Sequence, residues 1–195
     1  MCSSDLLLGL EQTGCVGEGT GWWPAHLQWR TAAGDLRAAM PLYVKLDSMG
    51  EFIFDFSWAH FHAQHGRPYY PKLVCAVPFT PVTGPRLLGP PELHATMLQA
   101  AVALAQQPEL RASSVHALFL TADDAERLAQ QPGWLHRLTS QALWRNEGWP
   151  DFEAFLASRR HEARKQIRRE RRAVADRSEE HTSELQSHLN LVCRL

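Results

Sequence analysis

Lys72 and Arg86 stand at either end of a proline-studded stretch, with Tyr70 just before it and the hydroxyls of Thr80 and Thr83 inside it. Two cations, two alcohols and a phenol on one short segment suit an anionic, amide-rich ligand. Ammonium and guanidinium groups bind carboxylate or phosphate, and hydroxyls can donate or accept. The structural alternative is that the prolines and tyrosines lock the loop to a sheet while Lys72 and Arg86 face solvent. Asp55 lies among Phe52, Phe54, Phe56 and Trp58. A carboxylate amid so much aromatic surface needs a partner if buried, either a structural hydrogen bond or a ligand amine. Asn146, in a turn-like Asn-Glu-Gly-Trp-Pro-Asp run, completes the candidate binding set. No Ser-His-Asp or Cys-His arrangement is justified by spacing, so no residue is assigned a catalytic role. Of His60, His62 and His65, only His62 with His65 has a helix-borne ligand spacing and no carboxylate supports it, so no metal is expected.

These residues need elements to hold them. Leu73–Val77 is a short apolar run fit for a buried strand, bounded by Pro71 and Pro78, which cannot donate to a ladder. Pro78, Pro81 and Pro85 fix three φ angles and Gly84 allows a turn, which predicts a rigid extended loop over Phe79–Arg86. Upstream, Leu7–Gln12 reads as a scrap of helix, and Gly14, Gly17, Gly19 and Gly21 as a loop carrying Trp22 and Trp23. His26–Arg30 and Leu36–Leu46 read as two strands of an antiparallel hairpin. Within Glu51–His65 a short extended lead-in gives way to a helix. Downstream come an amphipathic helix Pro91–Gln107, a buried strand Ser114–Leu120, and a helix Ala122–Gln131 capped by Thr121. A strand near Arg137–Trp144 and a short helix with Phe152, Phe155 and Leu156 follow. The order is an α+β pattern with a mixed sheet flanked by helices.

Tyr69-Tyr-Pro-Lys-Leu and Val77-Pro-Phe-Thr-Pro-Val-Thr-Gly-Pro-Arg-Leu-Leu resemble the signature of the bacterial FemAB-like N-acyltransferases, peptidoglycan biosynthesis proteins grouped with the GNAT superfamily. The similarity extends through Thr20-Gly-Trp-Trp-Pro-Ala-His-Leu, Gly50-Glu-Phe-Ile-Phe-Asp-Phe-Ser-Trp-Ala and Trp144-Arg-Asn-Glu-Gly-Trp-Pro-Asp-Phe to the basic run ending Arg168-Arg-Glu-Arg-Arg. The resemblance implies two cooperating GNAT-like halves. The acyl donor, an acyl-CoA or aminoacyl-tRNA, would be bound largely by a second half, which this chain would lack. The acceptor would be a small-molecule or peptide-like amine, and no cofactor would be held by this part alone. An Arg/Gln-x-x-Gly-x-Gly/Ala donor-phosphate loop is not found in the sequence. The alternatives are a non-catalytic module gripping a peptide or cell-wall precursor, and a nucleic-acid binder using Arg159–Arg172. That run carries eight Lys or Arg against Glu162 and Glu170. A basic run is usually a solvated face, and this one could also hold a ligand phosphate or carboxylate, so nucleic acid other than an aminoacyl-tRNA is not expected.

The ends read differently. Arg177-Ser-Glu-Glu-His-Thr can be encoded by a strand whose complement, begun at a gtg initiator, encodes Met1-Cys-Ser-Ser-Asp-Leu. Residues 1–6 and 177–195 therefore resemble translated adapter, the latter expected to be disordered, and 7–176 is taken as one FemAB/GNAT-like domain. About 170 residues are enough for a substantial core. Cys2 and Cys193 fall in the ends, Cys75 reads as a small buried hydrophobe beside Cys15, and no apolar run reaches the length of a membrane span. The charge balance excludes no partner, and a cytoplasmic protein is expected.

Overall fold

The computed structural model describes residues 3–142 and 144–192, with the side chains of 5–142 and 144–176. The chain divides into two compact units, Met1–His136 and Arg137–Cys193. The first is a mixed α+β arrangement built on a sheet of β1 (Trp22–Pro24), β4 (Tyr43–Lys45), β5 (Lys72–Cys75) and β6 (Val115–Ala117), in that spatial order. The β1–β4 and β4–β5 pairs are antiparallel and β5–β6 is parallel. A separate antiparallel pair is formed by β2 (Leu27–Arg30) and β3 (Leu36–Met40).

Strand β5 is an inner strand buried along its whole length, which is why Leu73–Val77 is a continuous apolar run rather than an alternating one, with Lys72 the charged exception at its head. Leu73 and Cys75 face a cluster with Met40, Leu42, Leu87, Met97, Leu98 and Ala101, to which α3 (His94–Ala105) contributes its apolar side. Val74 and Ala76 face the opposite cluster, with Val16, Trp22, Tyr43 and Leu118. The buried Cys75 thiol is pushed up to about 12 by burial, so it behaves as a small apolar group.

Several sequence expectations are corrected. Trp22 and Trp23 form β1 rather than lying in a loop, because Trp22 pairs with Lys45 across the sheet. The single strand expected over Leu36–Leu46 is cut at Pro41, whose nitrogen has no proton for a ladder. Its halves join different sheets. At the break the Leu42 N–H donates to His26 Nδ1 at 3.1 Å, and the Leu42 carbonyl accepts from the Ala25 N–H at 2.8 Å. The strand expected over Ser114–Leu120 is only β6, half-buried at the sheet edge. The strand expected near Arg137–Trp144 does not form among the described residues, where Leu138 and Trp144 are exposed instead of packing on a sheet.

Other elements follow from local sequence. Helix α1 (Ser3–Gln12) leads into the glycine-rich loop. Helix α2 (Phe56–Gln64) follows Asp55 and buries none of its own residues. A 3₁₀ turn at Pro91–Leu93 leads into α3. Thr121 caps α4 (Ala122–Ala129) by accepting from the Asp124 N–H at 3.2 Å. In the second unit, Asp151 caps α5 (Phe152–Ala157) by accepting from the Ala154 N–H at 2.7 Å. Helix α6 (His161–Val192) carries the basic run and continues past Asp176. No helix among the described residues is long and apolar enough to cross a membrane.

Gly89 marks where the chain returns to β3, next to the reciprocal hydrogen bonds between Leu88 and Ala39. Its φ is +142°, and a Cβ would lie 2.6 Å from the Ala38 Cβ and 3.0 Å from the Arg37 carbonyl oxygen. Gly89→Ala is expected to destabilise by about 1–3 kcal/mol in urea or thermal unfolding. Gly9→Ala, in a helix with open space around it, serves as the neutral or stabilising control. A wild-type melting curve for Gly89→Ala would contradict the close crossing.

Candidate functional site

At the head of β5 the Lys72 ammonium is fully buried and bonded on three sides. It lies 2.8 Å from Glu51 Oε2, 2.6 Å from Asp55 Oδ2 and 3.0 Å from Ser48 Oγ. Removing an ammonium from water costs several kcal/mol unless charge and hydrogen bonds replace the solvent, and all three of its donors are used here. The Tyr69 hydroxyl donates to Asp55 Oδ2 at 2.6 Å, and Ser48 Oγ shares a 2.7 Å hydrogen bond with the Tyr70 hydroxyl. The Lys72 Nζ also lies 5.3 Å from the Tyr69 ring centre and 5.7 Å from that of Tyr70. Tyr70 is half-buried, so it is the member of the network nearest solvent.

Local sequence explains how these groups converge. β5 alternates, so Lys72 shares the face of Val74, against β4. The loop after β4 is held by Lys45, opposite Lys72 in the ladder. Its buried ammonium donates to Asp47 Oδ1 at 3.2 Å and to the Met49 carbonyl at 3.0 Å, and lies 4.0 Å from the Trp22 ring centre. The Trp22 indole N–H donates to the same Met49 carbonyl at 3.1 Å. This clamp sets the path of the chain through Ser48 and Glu51 to Asp55 at the start of α2. Burial holds the Lys45 ammonium below the ordinary lysine range even with Asp47 alongside.

The two carboxyls are driven in opposite directions. Burial raises Glu51 above the ordinary carboxylate range and outweighs the Lys72 hydrogen bond. Burial also acts to raise Asp55, but the hydrogen bonds from Lys72, Ser48 and Tyr69 overcome it and hold that carboxyl below its usual range. Glu51 Oε1 and Asp55 Oδ1 are buried with no hydrogen-bond donor among the described residues. The cluster thus has one lysine, two carboxyls and two oxygens able to accept further donors.

The structure brings Asp55, Tyr70 and Lys72 of the sequence-predicted set into this one network. Thr80, Thr83 and Arg86 lie on the loop beyond β5. Thr80 Oγ1 donates to the Pro78 carbonyl at 2.9 Å, and Thr83 is exposed. Arg86 is buried, and its guanidinium donates to the carbonyls of Leu118 at 3.0 Å and Val82 at 2.7 Å, pinning the loop to the segment after β6. Asn146 belongs to the second unit. Its side-chain oxygen accepts from the N–H groups of Gly148 and Trp149 at 3.0 and 2.8 Å, which makes the turn before α5. Sequence reasoning missed Ser48, Glu51 and Tyr69. The available signal was Glu51 four residues before Asp55, two acids in an otherwise aromatic stretch. The three histidines go separate ways: His60 to Gln64, His62 to the Tyr69 ring, and His65 to the Phe61 carbonyl.

A family model, FemAB-like, described as peptidoglycan biosynthesis/recognition, matches residues 1–188. Comparison with curated proteins and with solved structures finds no match. The chain belongs to the FemAB-like family, which places its function in peptidoglycan biosynthesis or recognition. Within it, Lys72→Met is expected to destabilise by about 3–5 kcal/mol at neutral pH, because it strands two buried carboxyls. Without their cation both carboxyls would have raised pKa values in the folded state. Acidification toward their unfolded values should therefore recover part of the loss, the opposite sign to a salt bridge broken by acid. Urea titrations of the variant across the acid range check this; a uniform loss at every pH would contradict it.

Proposed function

We propose that the chain is part of an N-acyltransferase that passes an acyl or aminoacyl group to an amine of a peptidoglycan-related acceptor, and that the Lys72 network receives that amine. The observation carrying the proposal is a hydrogen-bonded path from the half-buried Tyr70 hydroxyl through Ser48 Oγ and Lys72 Nζ to Glu51 Oε2, at 2.7, 3.0 and 2.8 Å. An amine attacks a thioester or ester only after it has lost its ammonium proton and sheds a second one as the amide forms. Glu51, made more basic by burial, is the group on this path suited to accept a proton.

The relay conserves charge. The ammonium proton is lost to water as the amine binds. The proton shed as the amide forms passes to Tyr70, which hands its own to Ser48, while the donor leaves as the CoA thiolate or, protonated from water, as the tRNA hydroxyl. Lys72 first passes a proton to Glu51 Oε2, which leaves its nitrogen a lone pair, and Ser48 then hands its own proton to that nitrogen. Lys72 ends as it began, an ammonium, and the proton resides on Glu51. Asp55, held below its ordinary range, stays charged throughout and balances Lys72. The donor in this reading is an acyl-CoA or an aminoacyl-tRNA.

The test is to incubate the chain with a short peptide bearing a free lysine amine, together with an acyl-CoA or an aminoacyl-tRNA, and to weigh the peptide. The expected outcome is a mass gain on the amine, which is lost in Tyr70→Phe and Glu51→Gln. Glu51→Gln keeps an oxygen that can accept from Lys72 but removes part of its charge compensation, so some loss of melting temperature is expected, and a melting curve checks that the variant is folded at the assay temperature. Peptide binding without mass gain under either donor would support the non-catalytic module instead. Equal binding of the Nε-acetylated peptide would sink the amine site altogether.

A further inference from the structure

The second unit has a surface that the acyl-transfer proposal leaves unused. Four aromatic rings gather around α5. Trp144 stacks on Trp149 with an interplanar angle of 24° and ring centres 6.1 Å apart, and Phe155 meets both edge-on. Phe152 lies 5.6 Å from Phe155. They line a hollow of about 460 Å³, with Asn146 and Asp151 as its polar members. Two arginines lie on these rings: Arg159 is 4.5 Å from the Phe155 ring centre and 5.3 Å from that of Trp149, and Arg171 is 4.1 Å from that of Phe152. Trp144 keeps 63% of its surface exposed, so the hollow has an open aromatic wall.

The adjoining part of α6 is strongly cationic. Residues Arg160, Arg164, Arg168 and Arg171 repeat along one side, and Arg168 and Arg171 reach Glu153 and Phe152 of α5. Lys165, Arg169 and Arg172 form a second stripe. Glu153 neutralises Arg168, and Arg169 is bonded to Gln166. Arg160, Arg164, Lys165 and Arg172 have no anionic partner among the described residues. A basic helix alone is ordinarily a solvated face. Here exposed aromatic rings and arginines are interleaved beside it, which solvation does not require.

We infer that α5 and the basic part of α6 form a binding face for single-stranded nucleic acid. Its bases would stack on Trp144 and Phe152, and its phosphates would lie along Arg160, Arg164, Lys165 and Arg172. Flat rings with a phosphate on every unit match both halves of the surface, whereas a plain polyanion has no use for the aromatic wall. The inference stands apart from the acyl-transfer proposal, since it draws on no residue of the Lys72 network.

The test is fluorescence anisotropy of the full chain with labelled single-stranded RNA and DNA of one mixed sequence, with their duplexes and phosphatidylglycerol vesicles as comparison. Single strands should bind more tightly than duplexes. If about four phosphates are neutralised, affinity should fall roughly 50-fold for a fourfold rise in salt. Trp144→Ala and Phe152→Ala should each weaken binding roughly five- to 100-fold with unchanged circular dichroism, and Trp144→Phe should retain most of it. Tighter binding of one sugar type would name RNA or DNA as the natural ligand, and equal binding would show a face that reads bases and phosphates alone. Absence of binding at low salt, binding indifferent to both aromatic substitutions, or tighter binding to the vesicles would overturn the inference.

Discussion

Placing a lysine with no exposed surface at the head of the central strand constrains much that surrounds it. A buried ammonium survives only with its three protons bonded, and Glu51, Asp55 and Ser48 supply those bonds from the connection between β4 and α2. That connection cannot wander, because its own start is held by Lys45, Asp47 and Trp22. Tyr69 and Tyr70, just before the cis Tyr70–Pro71 bond, complete the network from the other side. A segment with little regular structure is thereby tied to the sheet by charge rather than by apolar packing.

The same arrangement gives the site its chemical character. One cation between two carboxyls cannot satisfy both equally, and the hydrogen bonds divide unevenly. Asp55 takes Lys72 and Tyr69, whereas Glu51 takes Lys72 alone. Burial then drives Glu51 upward while Asp55 stays low. Two like groups separated in proton affinity by their surroundings can serve as base and as counter-ion, and neither role follows from residue type.

Pattern alone was enough for the α+β class, for β5 between its prolines, for the β2–β3 hairpin and for the helices that became α2, α3 and α4. It failed where long-range pairing decided the outcome. Trp22 and Trp23 sit after four glycines and look like loop, and only the ladder to β4 makes them strand. Pro41 was the overlooked signal that β3 and β4 belong to separate sheets. Arg137–Trp144 has strand-like residues but forms no strand among the described residues. In the site, Asp55, Tyr70 and Lys72 were each visible as chemistry, yet their convergence depends on strand register, which no local window contains. Ser48 lies in a loop without periodicity, and Glu51 was marked only by its spacing from Asp55 in an otherwise aromatic stretch. Arg86 and Thr80 show the reverse: side chains suited to a ligand bond to carbonyls of their own chain.

Membership in the FemAB-like family sets the biological frame, and the Lys72 network supplies a physical centre within it. The central claim is that a single buried lysine, shared unevenly, separates the proton affinities of Glu51 and Asp55. Carboxyl-carbon NMR of the chain, labelled at Glu and Asp and titrated with acid, measures this directly. The account predicts that Glu51 titrates above the ordinary carboxylate range and Asp55 below it. Titration of both within the ordinary range, or in the reverse order, would contradict it.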